Sequence, residues 1–301
     1  SIVFCAMFLY LVLKHYGING LSGALGATAI SALSSQVLLW EHGHYALSYA
    51  FFFPMSWYLA IRWWKSNFKW KWSTLIALNA LWWIWVHNYL GFMIIAFTFI
   101  GFVTRLFIDN AGKWRNAGNY LHLALQTLFP VVITYGLLTI FDMHTGRFDW
   151  PFTTDFRASG WALAYSNHSF LQPVFDFVLS ALGAMPPQNQ SWLVIGNYLG
   201  ATSLLVLCAG FVRFVKKWIK KEIKVWAFSQ KSPFTPWLFA AALLLMFSFG
   251  LPFRYALKSW IEEIWVLKQF IGLGRFAWPF YYVATVCLLY TSPSPRDEKV
   301  S

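Results

Sequence analysis

Apolar residues come in long, nearly unbroken runs, not in the strict alternation of a half-buried strand or the single stripe of a surface helix. The pattern predicts an all-α chain, a polytopic transmembrane helix bundle of about nine membrane segments. These cover residues 1–13, 20–40, 45–62, a pair within 72–107, 118–141, 192–212, 234–251, and a last one starting near Arg275. In the second segment Gly20, Gly23, Gly26, Ala27 and Ser31 share one helical side, the spacing that lets helices approach closely in lipid. Pro54 is expected to kink the third. The pair in 72–107 is tight: two crossings have only about 17 residues each, the lower limit for spanning. It is expected either to cross fully or to form short half-helices that meet at His87–Asn88.

Between these runs, residues 142–190 make the longest non-apolar stretch and are expected to fold back on the surface as short helices. The segment RFVKKWIKKEIKVW sets apolar residues at helical spacing between lysines, so it is expected to lie along the headgroups. Residues 1–289 are expected to be one transmembrane helical domain that includes 142–190 as an external loop region. The chain starts inside an apolar run, and so is expected to be a fragment truncated at its N-terminus. The string LYTSPSPRD resembles a translated adapter sequence, and 290–301 is expected to be a non-native or disordered tail.

Composition agrees with a bilayer setting. Hydrophobic residues make up 58% and charged residues 11%, with mean hydropathy +0.52, which argues against an ordinary soluble domain. The net charge of +12 does not point to nucleic acid, because the cations flank apolar runs and have no separate domain to sit on. Nineteen tryptophans and fourteen tyrosines suit aromatic belts at the two interfaces. Cys5, Cys208 and Cys287 all lie within apolar runs, a pattern of packing residues rather than of disulfides or metal ligands.

The loop charges orient the bundle. One set of loops, including Lys14, Arg62–Lys71, Arg105–Arg115 and Arg213–Lys231, carries 15 Lys and Arg against only Asp109 and Glu222. The alternate set carries six cations against seven acids. The positive-inside rule makes the first set cytoplasmic and the second external, which predicts a multi-pass membrane protein with its polar site facing outward.

Candidate chemistry then collects on the external face. Glu41, His42 and His44 lie where the second segment meets the third; interfacial hydrogen bonding or contact with a polar substrate is the stronger reading there than a metal site, and no metal is assigned. His87 and Asn88 either line a cavity or cap a helix corner, and the two readings weigh equally. Arg275, after Gly272 and Gly274, presents a planar donor fork suited to phosphate, or else anchors a helix end by snorkelling. Asp142, Asp149, Asp155 and Asp176, with Glu262 and Glu263, are the carboxylates from which a catalytic base would come. There is no Walker loop, GxSxG, HExxH, CxxC or dinucleotide fingerprint, so no cofactor is implied.

The strings EHGHYALSYAFFFPMSWYLAIRWW, WVHNYLGFMI, GNYLG at 196–200 and IGLGRFAWPFYY resemble bacterial polytopic proteins of the GT-C glycosyltransferase superfamily, in particular its YfhO-like and DUF6311-type members. The resemblance spans most of 1–289. It implies transfer of a sugar from a polyprenyl-phosphate carrier to an envelope acceptor at the external face, with membrane lipids and the lipid-linked sugar as partners and nucleic acid as none. It also implies that His44 and Gly274–Arg275 line the site, and the GNYLG string adds Asn197 and Tyr198 to the substrate-binding set. A catalytic acid in the first external loop would precede Ser1, so a chain beginning there is expected to be inactive. The alternatives are a transporter or flippase of a polar lipid or glycan, which should carry ionisable groups deep within its spans, and a non-catalytic envelope-assembly protein.

Overall fold

The structure, a computed structural model, describes residues 1–40, 43–108, 117–141, 233–253 and 272–291, with a few isolated positions besides. The described residues are all-helical. They form α1 (Ile2–His15), α2 (Gly20–Ala32), α3 (Ser35–Leu38), a 3₁₀ turn (Tyr45–Leu47), α4 (Phe52–Lys65), α5 (Trp70–Val86), α6 (Asn88–Ile108), α7 (Ala117–Phe141), α8 (Thr235–Ser248), a second 3₁₀ turn (Leu273–Ala277) and α9 (Trp278–Thr291). The expected segment over 192–212, nearly all of 142–190, the basic stretch beyond it and 292–301 lie outside the described residues.

Nine membrane segments are not supported. Among the described residues only α6, with 21 residues, and α7, with 25, are long and apolar enough to cross a membrane. The other apolar runs among the described residues do not become single helices of spanning length. The run over 20–40 stops being helical at Ala32 and restarts only as the single turn α3, and helix in the run over 45–62 begins at Phe52. Pro54 also departs from expectation. It sits in the first turn of α4, where its missing N–H costs no helical hydrogen bond, so it does not interrupt the helix. The proline inside a helix is Pro130 of α7.

The core is aromatic and centred on α4, which packs on α1, α5 and α6. Phe53 stacks on Tyr282 and meets Phe97 edge-on at 4.7 Å, while Phe97 stacks on Trp237 of α8. These offset and edge-on pairings suit the ring quadrupoles. Asn79 of α5 is satisfied within this core. It donates to Ser56 Oγ at 2.7 Å, accepts from Trp83 Nε1 at 3.1 Å, and so ties α5 to α4.

The irregular chain between α2 and α4 is held by a second polar cluster. The buried Tyr282 hydroxyl of α9 donates toward Gln36 Oε1 (3.0 Å) and the Ala50 carbonyl (3.2 Å), with the Ser34 hydroxyl 2.9 Å away. Gln36 then donates to the Leu47 carbonyl, and the Tyr281 hydroxyl to that of Ile30.

α7 has its polarity reversed. Its buried residues are Asn119, His122, Gln126 and Pro130, all on one helical side, and Gln126 donates to Ser73 Oγ of α5 at 2.8 Å. Outward it exposes Leu128, Val132, Tyr135, Ile140 and Phe141, the last at 74%. A surface helix in water shows the opposite arrangement.

α5 and α6 meet at close quarters through Gly91, where a Cβ would lie 2.8 Å from the Ile84 Cα. We expect Gly91→Ala to lower the melting temperature in detergent by several degrees. Gly136→Ala, where a Cβ meets nothing within 4 Å, should leave it nearly unchanged. Tyr282→Phe should cost about 1–3 kcal/mol by leaving buried acceptors unsatisfied, measured as a lowered midpoint in chemical denaturation.

Candidate functional site

A single residue separates α5 from α6. His87 is extended (φ −165°, ψ 123°), which ends α5, and its N–H closes that helix on the Trp83 carbonyl at 2.9 Å. α6 then starts at once, with the Asn88 side-chain oxygen accepting the Tyr89 N–H at 2.8 Å. The expected meeting of two helices at His87–Asn88 is therefore present, and Asn88 does act as a cap.

The corner is more than a cap. Tyr89 is buried, and its hydroxyl accepts the Gly272 N–H at 2.7 Å, which ties the start of α6 to the turn ahead of α9. That turn closes through Arg275 N–H to the Gly272 carbonyl, and it lays the Arg275 guanidinium over the Tyr89 ring, 4.9 Å from its centroid. Gly272 serves here by its smallness: a Cβ would stand 3.2 Å from the guanidinium carbon. His87 packs against the same ring at 5.2 Å. His44 starts the first 3₁₀ turn, its N–H bonded to the Leu39 carbonyl, and lies near enough for its charge to act on His87.

The electrostatics follow from this packing. Burial, then the positive charge of Arg275, then His44, push His87 down from 6.5 to about 4. Burial also lowers Arg275, while Tyr89 works in the opposite direction. At neutral pH the corner therefore holds a neutral imidazole beside a permanently charged guanidinium. The imidazole Nδ1 accepts the Tyr89 N–H at 3.4 Å, so the neutral ring carries its proton on Nε2.

Three of the sequence-predicted residues, His87, Asn88 and Arg275, thus share one site, with His44 within electrostatic reach. Glu41, His42, Asn197, Tyr198, Asp142, Asp149, Asp155, Glu262 and Glu263 lie outside the described residues, as does every other acid in the chain. No group of three metal-capable side chains occurs among the described residues. Tyr89, which joins the corner to the Arg275 turn through the Gly272 N–H, was not singled out from sequence, and its only trace was its presence within the string WVHNYLGFMI.

Residues 1–296 match a family model described as "Domain of unknown function (DUF6311)". The chain belongs to the DUF6311 family. That description carries no activity, and nothing in the match supports membership of the GT-C superfamily or the YfhO-like group. No curated protein and no solved structure matches the chain. In this DUF6311 chain the match reaches beyond Tyr290, as does α9, which continues through Thr291.

The lowered value for His87 has a direct consequence for stability. Between about pH 6.5 and 4 the unfolded chain binds this proton and the folded chain does not, so the unfolded state carries more protons and stability falls with acidification. The contribution is complete above about pH 6.5 and lost as pH falls through 4. Thermal melts from pH 7 to pH 4 should show a smaller loss of melting temperature in His87→Gln than in the parent.

Proposed function

We propose that this DUF6311 protein is a multi-pass membrane glycosyltransferase that moves a sugar from a polyprenyl-phosphate donor to an envelope acceptor. The site would face outward from the bacterial inner membrane. The observation that carries the reading is the Arg275–Tyr89–His87 corner. A guanidinium held over an aromatic ring beside a neutral imidazole offers charge-assisted donors to a phosphate. The lipid-linked donor is already activated, so the protein must bind the phosphate and supply one base. Asp142, Asp149, Asp155, Glu262 and Glu263 remain the candidates for that base, with Glu41, His42, Asn197 and Tyr198 as further contacts to the substrate.

The bilayer setting is supported by α6, by α7 and by the reversed polarity of α7, whose exposed apolar face suits hydrocarbon. Loop charge supports the orientation, since α6 leads from the corner toward Arg105 and the cationic loop 109–116, and α7 returns. Crossings beyond these two belong to the proposal. A transporter or flippase is the second reading, favoured by the polar stripe Asn119, His122 and Gln126 within a long apolar helix. Gln126 is bonded to Ser73, however, and His122 lies against Trp70 at 4.0 Å, so these two groups pack between helices and do not line a path.

The test is turnover of polyprenyl-phosphate-linked sugar by the protein in lipid, with Arg275→Ala alongside. Loss of one charge-assisted bond, about 1.5–3 kcal/mol, should lower kcat/KM roughly ten- to hundredfold. Substrate uptake into vesicles with no turnover by the parent protein would overturn the transferase reading.

A further inference from the structure

The turn between α4 and α5 carries the densest group of cations among the described residues. Arg62, Lys65, Lys69 and Lys71 fall within ten residues, all four are exposed, and the sequence has no acid between Glu41 and Asp109. The turn is pinned to the core. Asn67 (φ 55°) and Phe68 (φ 63°) reverse the chain through the left-handed region, and the Phe68 ring packs on Trp63 at 4.9 Å and on Phe102 at 5.8 Å. The Ser66 hydroxyl donates to the Trp63 carbonyl at 2.8 Å and accepts the Lys69 N–H at 3.3 Å. The cations therefore stand on a fixed surface of the bundle.

Two of them converge on one ring. Arg62, in the last turn of α4, and Lys71, at the start of α5, both lie over the Trp72 indole, with Cζ 5.0 Å and Nζ 5.8 Å from its centroid. A shared cation–π partner draws two like charges together from different helices and neutralises neither. Lys69 and Lys71 also stand where the α5 dipole disfavours cations, so helix stability does not account for their position. A guanidinium fork beside a compact ammonium suits the oxygens of a phosphodiester. Below Lys71, the side chains of Leu75, Leu78 and Trp82 follow at helical spacing on the same side of α5, all exposed, with Trp82 at 66%. A cationic head above an apolar stripe is the complement of a phospholipid, headgroup above acyl chain.

We infer that the α4–α5 turn is a docking surface for an anionic phospholipid, with its phosphate held by Arg62 and Lys71 beside Trp72 and its acyl chain along the exposed side of α5. The surface lies at the opposite end of α5 from the His87 corner. The inference rests on the bilayer setting proposed above and not on sugar transfer.

Native mass spectrometry of the whole protein in detergent, titrated with phosphatidylglycerol and with phosphatidylcholine, tests it. The parent should prefer phosphatidylglycerol by roughly fivefold or more, and Arg62→Gln combined with Lys71→Gln should weaken that lipid roughly tenfold. Lys14→Gln is the control: it removes an exposed cation of α1 and should change the preference less than about twofold. Trp72→Leu keeps every charge and should weaken binding about threefold, with Trp72→Phe restoring most of it. If the double variant fails to fold, Lys71→Gln alone alters one exposed side chain and should still weaken binding about threefold. Equal affinity for the two lipids, an unchanged preference in the Arg62 and Lys71 variants, or equal loss with Lys14→Gln overturns the proposal. Displacement of the lipid by millimolar inorganic phosphate assigns the turn to a soluble anion and overturns it as well. Flotation with phosphatidylcholine vesicles separates the two readings. Protein that floats yet shows no preference for phosphatidylglycerol defeats this inference alone, whereas protein that does not float defeats the bilayer setting with it.

Discussion

Much of this fold depends on one hydroxyl. The chain between α2 and α4 leaves helical geometry while still among apolar neighbours, and a backbone that does so must find other partners for its N–H and carbonyl groups. Tyr282 meets that need from a residue far along the sequence, joining Gln36, Ser34 and the Ala50 carbonyl to α9. The same ring stacks on Phe53, so polar satisfaction and aromatic packing are fixed by one side chain. With that segment held, α4 can start at Phe52 and His44 is carried to the edge of the α5–α6 corner.

What the sequence made legible was the helical class, the break at His87–Asn88 and the grouping of those residues with Arg275. Each rests on a local signal: apolar runs, a polar pair at mid-run, and a Gly-flanked cation. What it hid was length. Hydropathy treats Ser34, Gln36 and Ser48 as small interruptions in an apolar run. In the fold Gln36 and Ser48 donate to carbonyls of the stretch outside the α-helices and Ser34 pairs with the Tyr282 hydroxyl, and the run over 20–40 contains a helix of only 13 residues. Position within the helix likewise separates Pro54 from Pro130, and that position depends on where the helix starts. The role of Tyr89 was also hidden, because a tyrosine in a chain this aromatic has no distinguishing spacing until Gly272 arrives from 183 residues away.

α6 organises the electrostatics of the molecule as well as its packing. One end carries Tyr89 with Arg275 above it, and the other carries Arg105 above Trp64. Both guanidiniums lie over aromatic rings and are partly buried, so their charge is partly desolvated. Leu90, Met93, Ile94 and Phe97 of the helix between them are fully buried, and it is the length of that helix, roughly 25 Å, that keeps the repulsion between the two positive centres small.

The short helices around α6 set a mechanical condition on any bilayer that holds this bundle. A helix of 13 or 14 residues rises about 20 Å, whereas a hydrocarbon layer is about 30 Å thick. Were α1 and α2 to border lipid in that bilayer, the lipid beside them would have to compress toward the shorter length, while that along α7 would not. The protein would sit in a lopsided collar of lipid, thin on one flank and full-height on the other. The acyl-chain length of the surrounding lipid would then bear on its stability.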